Sequence, residues 1–161
     1  MTRRVRHLQE VAEALAPGNR RGGGGFPLRG ATAEGLRYES RVAALARSLG
    51  LRVKHGQWFR FRDAGGVGYC QPDVLALSSA EGHHRLLVIE AKLTQTREGE
   101  AQLSRLYVPL MARLYQVPII PILIFRNILW EAERQLGALE DALRLPVRSG
   151  SAPWHLHWSD L

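Results

Sequence analysis

The chain has 161 residues, 45% hydrophobic and 23% charged, which suits one soluble globular domain able to bury a core without staples. A single cysteine, Cys70, excludes an intrachain disulfide framework and fits a reducing compartment. The net charge of +7 is uneven: residues 1–62 hold thirteen Lys or Arg against four acids, and residues 63–161 hold nine against eleven. A basic front half suits a polyanionic partner, although twenty Arg against two Lys also reads as compositional bias. Nothing at the N-terminus resembles a signal peptide, and the longest apolar stretch, 117–125, is too short to span a bilayer.

Val5, Leu8, Val11, Ala12 and Leu15 lie near helical spacing and predict a short helix over 1–16, stopped by Pro17-Gly18-Asn19. Arg20, Arg21 and the four glycines Gly22 to Gly25 follow, with no strand before them and no helix directly after. That context favours a linker over a phosphate-binding loop. Residues 1–31 are therefore expected to form a basic, Gly-rich, partly flexible arm, ahead of a domain over 32–161.

Thr32 is a natural N-cap, Leu36 to Leu49 form a helical apolar stripe, and Gly50 fits the C′ position. This helix carries Glu34 and Glu39. Residues 51–62 read as a strand rich in aromatic and basic side chains, the turn Asp63-Ala64-Gly65-Gly66 follows, and 69–77 and 85–93 read as two further strands. A three-strand meander is the expectation. Trp58, Phe59 and Phe61, interleaved with Lys54, Arg60 and Arg62, read either as a base-stacking strip or as a half-buried strand. Residues 99–116 predict a helix that Pro109 kinks or breaks. The apolar run 117–125 predicts a strand buried on both faces, with its prolines placing it near a sheet edge or at its own start. A final amphipathic helix over 128–145 and an edge strand over 154–158 complete the chain.

The chemistry concentrates in two strands. Gln71-Pro72-Asp73 precedes Val74 to Leu77, and seventeen residues beyond Asp73 the run Leu86-Leu87-Val88-Ile89 ends in Glu90-Ala91-Lys92. Residues two apart in a strand share a face, so Glu90 and Lys92 point the same way. A carboxylate within an aliphatic strand is costly unless a cation or hydrogen bonds compensate it.

Pro72-Asp73 followed by Glu90-Ala91-Lys92 resembles the signature of the PD-(D/E)XK nuclease superfamily, over roughly residues 32 to 130. The resemblance implies a restriction-endonuclease-like α/β core, a mixed central sheet of four to five strands flanked by helices. It also implies a magnesium-dependent deoxyribonuclease in which Mn2+ substitutes for Mg2+. Asp73 and Glu90 would be metal ligands, Ala91 would lend its backbone carbonyl, and Lys92 would orient or polarise the attacking water. Many members also carry a glutamate on the first helix; Glu39 is preferred here, with Glu34 as competitor. One exonuclease branch has a glutamine and a tyrosine four residues apart on the later helix, whereas Gln102 and Tyr107 are five apart, a departure from that branch.

Candidate nucleic-acid contacts are Arg20, Arg21, Lys54, Arg60, Arg62, Arg97, Gln102 and Arg105, the helix arginines reading equally as a solvated face. The expected partner is DNA, with a homodimer allowed and no membrane. The expected compartment is the cytoplasm, or the host's if the gene is a phage gene. The histidines offer no cysteine-accompanied zinc site. Two other readings use the same residues: a non-catalytic nucleic-acid-binding protein on this core, and an interaction module using the apolar strand and the Trp-rich tail.

Overall fold

The computed structural model describes residues 2–14, 31–146 and 152–160, and within them the aliphatic runs lie side by side as strands. The expected stop at Pro17-Gly18-Asn19, the glycine run Gly22 to Gly25, and Arg20 and Arg21 lie outside the described residues. The fold is mixed α/β. Strands β1 (Glu10–Glu13), β3 (Phe59–Asp63) and β4 (Gly66–Cys70) make a small sheet in the order β1-β3-β4. Strands β2 (Arg52–His55), β5 (Val74–Ser78), β6 (Arg85–Thr94), β7 (Ile119–Asn127), β8 (Gln135–Leu136) and β9 (Trp154–His157) make the main sheet, in the order β2-β5-β6-β7-β9-β8. The main sheet is antiparallel from β2 to β6 and parallel from β6 to β8.

The main sheet divides two cores. On one face α1 (Ala31–Ser48) sets Tyr38, Val42, Ala43 and Ala46 against Val74 and Ala76 of β5, Leu87, Ile89 and Ala91 of β6, and Ile120, Ile122 and Ile124 of β7. On the other face α2 (Arg97–Gln102), a π turn (Leu103–Tyr107) and α3 (Val108–Tyr115) join the small sheet over Leu86, Val88, Leu123 and Phe125. Alternate residues of β6 thus serve opposite cores, which is why its run of aliphatics has no polar positions until Glu90.

Local chemistry explains the element ends. Helix α1 starts at Ala31, placing Thr32 inside its first turn rather than at its cap. Its C-terminus follows expectation: Gly50 takes φ +80°, its N–H donates to Arg47 C=O, and Leu51 N–H donates to Ala46 C=O. That pair of bonds is a Schellman closure, which a left-handed glycine makes without Cβ strain. The expected kink at Pro109 takes the form of the π turn just before it. Proline cannot donate to the carbonyl four residues back. That carbonyl, on Arg105, instead accepts the Val5 N–H at 3.0 Å.

Several expectations need correcting, and the first is size: the main sheet has six strands rather than four to five. Residues 1–16 are not helical where described, because β1 pairs antiparallel with β3 and Val11 faces Phe61 in the ladder. The strand expected over 51–62 is two strands in different sheets, separated at Gly56, whose φ of +69° turns the chain. The strand expected over 69–77 is likewise divided at Gln71-Pro72-Asp73, so β4 and β5 belong to different sheets; the three expected stretches still meet as the antiparallel neighbours β2-β5-β6, with the β3–β4 pair inserted between β2 and β5. Strand β7 is central, between β6 and β9, so of the two expected placements its prolines take the strand start: Pro118 immediately precedes it, and Pro121 is tolerated because it precedes the β7–β9 ladder, which begins at Ile122. Residues 128–145 form β8 and the short 3-10 helix Leu139–Arg144 instead of an amphipathic α-helix, and β9 lies inside β8 rather than at the edge.

The small sheet is tied down by the N-terminal segment. Arg3 pairs with the buried Asp63, donates to the C=O groups of Gly66 (3.0 Å) and Val67 (3.4 Å), and stacks over the Phe61 ring at 4.7 Å. Burial pushes the Asp63 carboxyl up, but the Arg6 N–H, the Arg3 guanidinium and the Gly65 N–H together hold it below the usual carboxylate range. No described helix is long and apolar enough to cross a membrane.

Candidate active site

The antiparallel register pairs Val74 with Ile89, so one step further along places Asp73 opposite Glu90. Pro72 ends the preceding strand by removing a ladder donor, and the Gly56 N–H fixes the Asp73 backbone through its C=O at 3.0 Å. Both acids are buried, Asp73 at 2% and Glu90 at 0% relative exposure. Their surroundings compensate them. The Ala91 N–H donates to Asp73 Oδ2 at 2.9 Å, and Lys92 Nζ lies 2.9 Å from Glu90 Oε1. The expected shared face of Glu90 and Lys92 is thus realised as a contact. The Lys92 side chain stays 33% exposed, so its ammonium bridges a buried carboxylate to solvent.

From the opposite layer, α1 contributes Glu39, 5% exposed. A cavity of about 320 Å³ is lined by Glu39, Asp73, Ala91 and Lys92, with Gly35 and Leu36 forming the helix wall. Glu90 is not among the residues lining it and sits behind Lys92. Glu34 turns away: its carboxylate pairs with Arg126 Nη1 at 2.6 Å on the half-exposed side of the helix. Of the two helix glutamates, Glu39 alone lines the cavity.

Sequence reasoning did not select His55. It ends β2 opposite Val74, and its Nε2 stands 3.5 Å from Glu39 Oε1. Only its place just before the turning Gly56 hinted at a position beside Asp73. Gln95, just past the end of β6, serves elsewhere. Its Oε1 accepts the N–H groups of Leu129 and Trp130, and its Nε2 meets His155 Nδ1 at 2.9 Å. His155 Nε2 lies 3.3 Å from Glu100 Oε1.

Cys70 is a core residue. Burial, followed by the negative charge of Glu90, pushes its thiol up to about 12, leaving no thiolate near neutral pH. The nucleic-acid candidates scatter. Arg60 and Arg62 lie on the outer face of the small sheet and both reach Glu10 Oε1, at 3.1 and 3.4 Å. Lys54 pairs with Glu13. Arg97 pairs with Glu100 at 3.1 Å and stacks over Trp130 at 4.0 Å. Arg105 is exposed on the π turn, and Gln102 is half-buried at the end of α2. Phe59 and Phe61 are buried in the second core and cannot stack on a base.

Among the described residues, no three His, Cys, Asp or Glu side chains gather as a metal-holding group. Asp73 and Glu39 line one cavity with Ala91, and Glu90 stands opposite Asp73 in the ladder, so every donor these residues offer is oxygen. That is the chemistry of a hard divalent cation rather than zinc or copper. Gln71, two residues before Asp73, also buries a side-chain oxygen that no donor among the described residues reaches. The donor set fits Mg2+ in kind. The chain matches no family model, no curated protein and no solved structure.

Proposed function

We propose that this protein is a metal-dependent phosphodiesterase that hydrolyses DNA, on a core of the restriction-endonuclease type. The observation that carries the reading is the pair of buried acids on neighbouring strands, Asp73 and Glu90, with the Lys92 ammonium 2.9 Å from Glu90 and open to solvent. Asp73, Glu90 and the Ala91 carbonyl would hold Mg2+ or Mn2+, with Glu39 joining through water. The bound cation would supply Lewis-acid charge stabilisation and a more acidic water. Lys92, with three donors on a mobile stem, orients the attacking water and neutralises charge on the phosphate. Water adds to phosphorus as the P–O3′ bond breaks, leaving a 5′-phosphate and a 3′-hydroxyl.

The Glu90–Lys92 ion pair also suits a non-catalytic nucleic-acid-binding domain, in which the acids only brace the sheet. Cleavage separates the two readings. Supercoiled plasmid, linear duplex, single strand, four-way junction and structured RNA are incubated with Mg2+ or Mn2+, for wild type and Asp73→Ala. Metal-dependent cutting of DNA that the variant abolishes is the expected result. Binding without cutting by the wild type would leave the non-catalytic reading in its place.

A further inference from the structure

Helix α1 runs eighteen residues and holds one glycine, Gly35. Glycine is about fivefold less favourable than alanine in a helix interior, because it loses more backbone freedom on folding. Two local needs can outweigh that cost, a positive φ or a neighbour too close for a Cβ. Gly35 answers neither. Its φ is not positive, and among the described residues a Cβ there would meet nothing within 4 Å. The contrast is Gly99 of α2, where a Cβ would fall 2.8 Å from Leu123 Cδ1, so packing accounts for that glycine.

The open side of Gly35 is the acid cavity. Gly35 and Leu36 lie on its helix wall one turn before Glu39, while Asp73, Lys92 and Leu93 line it from the strands. Charge sits with Asp73, Lys92 and Glu39, and the stretch of wall at Gly35 and Leu36 carries none. A phosphodiester is an internal link, so a sugar continues the chain on either side of the phosphate that Lys92 meets, and the chain must leave the cavity along a wall. Sugar carbons suit uncharged backbone beside aliphatic side chains, which the half-buried Leu36 and Leu93 supply.

We infer that Gly35 sets the closest approach of the substrate strand: the sugar next to the scissile phosphate packs on bare α1 backbone there, at a distance that a Cβ would block. The ligand class rests on the hydrolase reading, to which the helix wall adds the surface along which the strand is held. The helix gives up stability for room, which sets binding against folding at a single position.

The test pairs urea unfolding with fluorescence anisotropy of a short labelled DNA duplex, and of one of its strands alone, in Ca2+, an oxygen-seeking ion used so that binding is read without Mg2+-dependent turnover. Gly35→Ala and Gly35→Leu both raise the urea midpoint, since each places a better helix former in open space. Both weaken DNA binding, Gly35→Ala several-fold and Gly35→Leu about thirtyfold, because the added carbon takes room that the sugar needs. Ala44→Leu, on an exposed position of the same helix, leaves binding as in wild type. The rise in melting temperature on adding Ca2+ is the same in every variant, because Asp73, Glu90 and Ala91 are untouched. A folded Gly35→Leu chain that binds DNA as wild type does overturns the inference, as does a wild type that binds neither form; if Gly35→Leu fails to fold, Gly35→Ala decides in its place. Binding lost together with the Ca2+ response would place the effect on the ion and overturn it as well. Cleavage in Mg2+ is scored separately. Binding indifferent to residue 35 leaves the hydrolase reading standing, whereas sensitive binding without any cleavage by wild type removes that reading and keeps the strand contact.

Discussion

Lys92 is the residue on which chemistry and stability meet, because its ammonium compensates the fully buried Glu90. Lys92→Ala is expected to abolish cleavage while metal binding, followed by Mn2+ titration, persists. The same variant leaves a carboxylate without its cation, and a loss of about 1–3 kcal/mol in urea unfolding at neutral pH is expected. The helix acids give a cleaner contrast. Glu34→Gln breaks only a half-exposed pair with Arg126 and should cost about 0.5 kcal/mol with cleavage intact, whereas Glu39→Gln should lose cleavage and keep the fold. Full cleavage by Glu39→Gln would remove it from the site. Asp73, Glu90 and Lys92 were legible because charge inside an aliphatic run demands an explanation from the sequence itself. His55 was not legible, because its nearness to Glu39 arises from strand β2 and helix α1 meeting across β5, which no local pattern encodes.

At the scale of elements, the π turn and the N-terminal segment share one hydrogen bond. Pro109 withholds a donor from Arg105 C=O, and Val5 N–H takes that acceptor. Pro109→Ala restores a competing helical donor, so the Val5 amide should exchange faster with solvent in hydrogen-exchange mass spectrometry while the β6 amides are unaffected. Unchanged Val5 exchange would show that strand pairing with β3 alone holds the segment. The same segment shows why some elements were misread. Val5, Leu8 and Val11 recur at helical intervals, yet the β1 ladder is formed with residues about fifty positions away, and such pairing leaves no mark on local periodicity. Strands β5 and β6 were legible because β-branched and aliphatic runs of strand length admit few alternatives. Gly56 and Pro72 were the available signs that the runs around them are divided, and their backbone demands outweighed the continuity of the hydrophobic pattern.

Across the whole molecule, stability should depend on pH through His155. Burial lowers its pKa, opposed by the nearby Glu100 carboxylate and reinforced by Arg97. The unfolded chain, with a histidine pKa of about 6.5, then binds the proton more readily than the folded one. Stability is therefore full above that value, falls as the pH drops from there through the folded pKa, and levels off once both states are protonated. The urea midpoint should be lower at about pH 5 than at about pH 7.5, and His155→Gln should show a smaller difference. An undiminished difference in that variant would assign the pH dependence to other groups. A last consequence concerns the rim of the small sheet, where β4 is the outermost strand. Arg3 lies along that rim and occupies the carbonyls of Gly66 and Val67. Trimming a few residues from the amino terminus would uncover a strand bearing Val67 and Tyr69, a template on which further chains add edge to edge. The shelf life of the protein in solution would then be set by exopeptidase trimming rather than by unfolding, and one arginine would separate a lone chain from an assembling one.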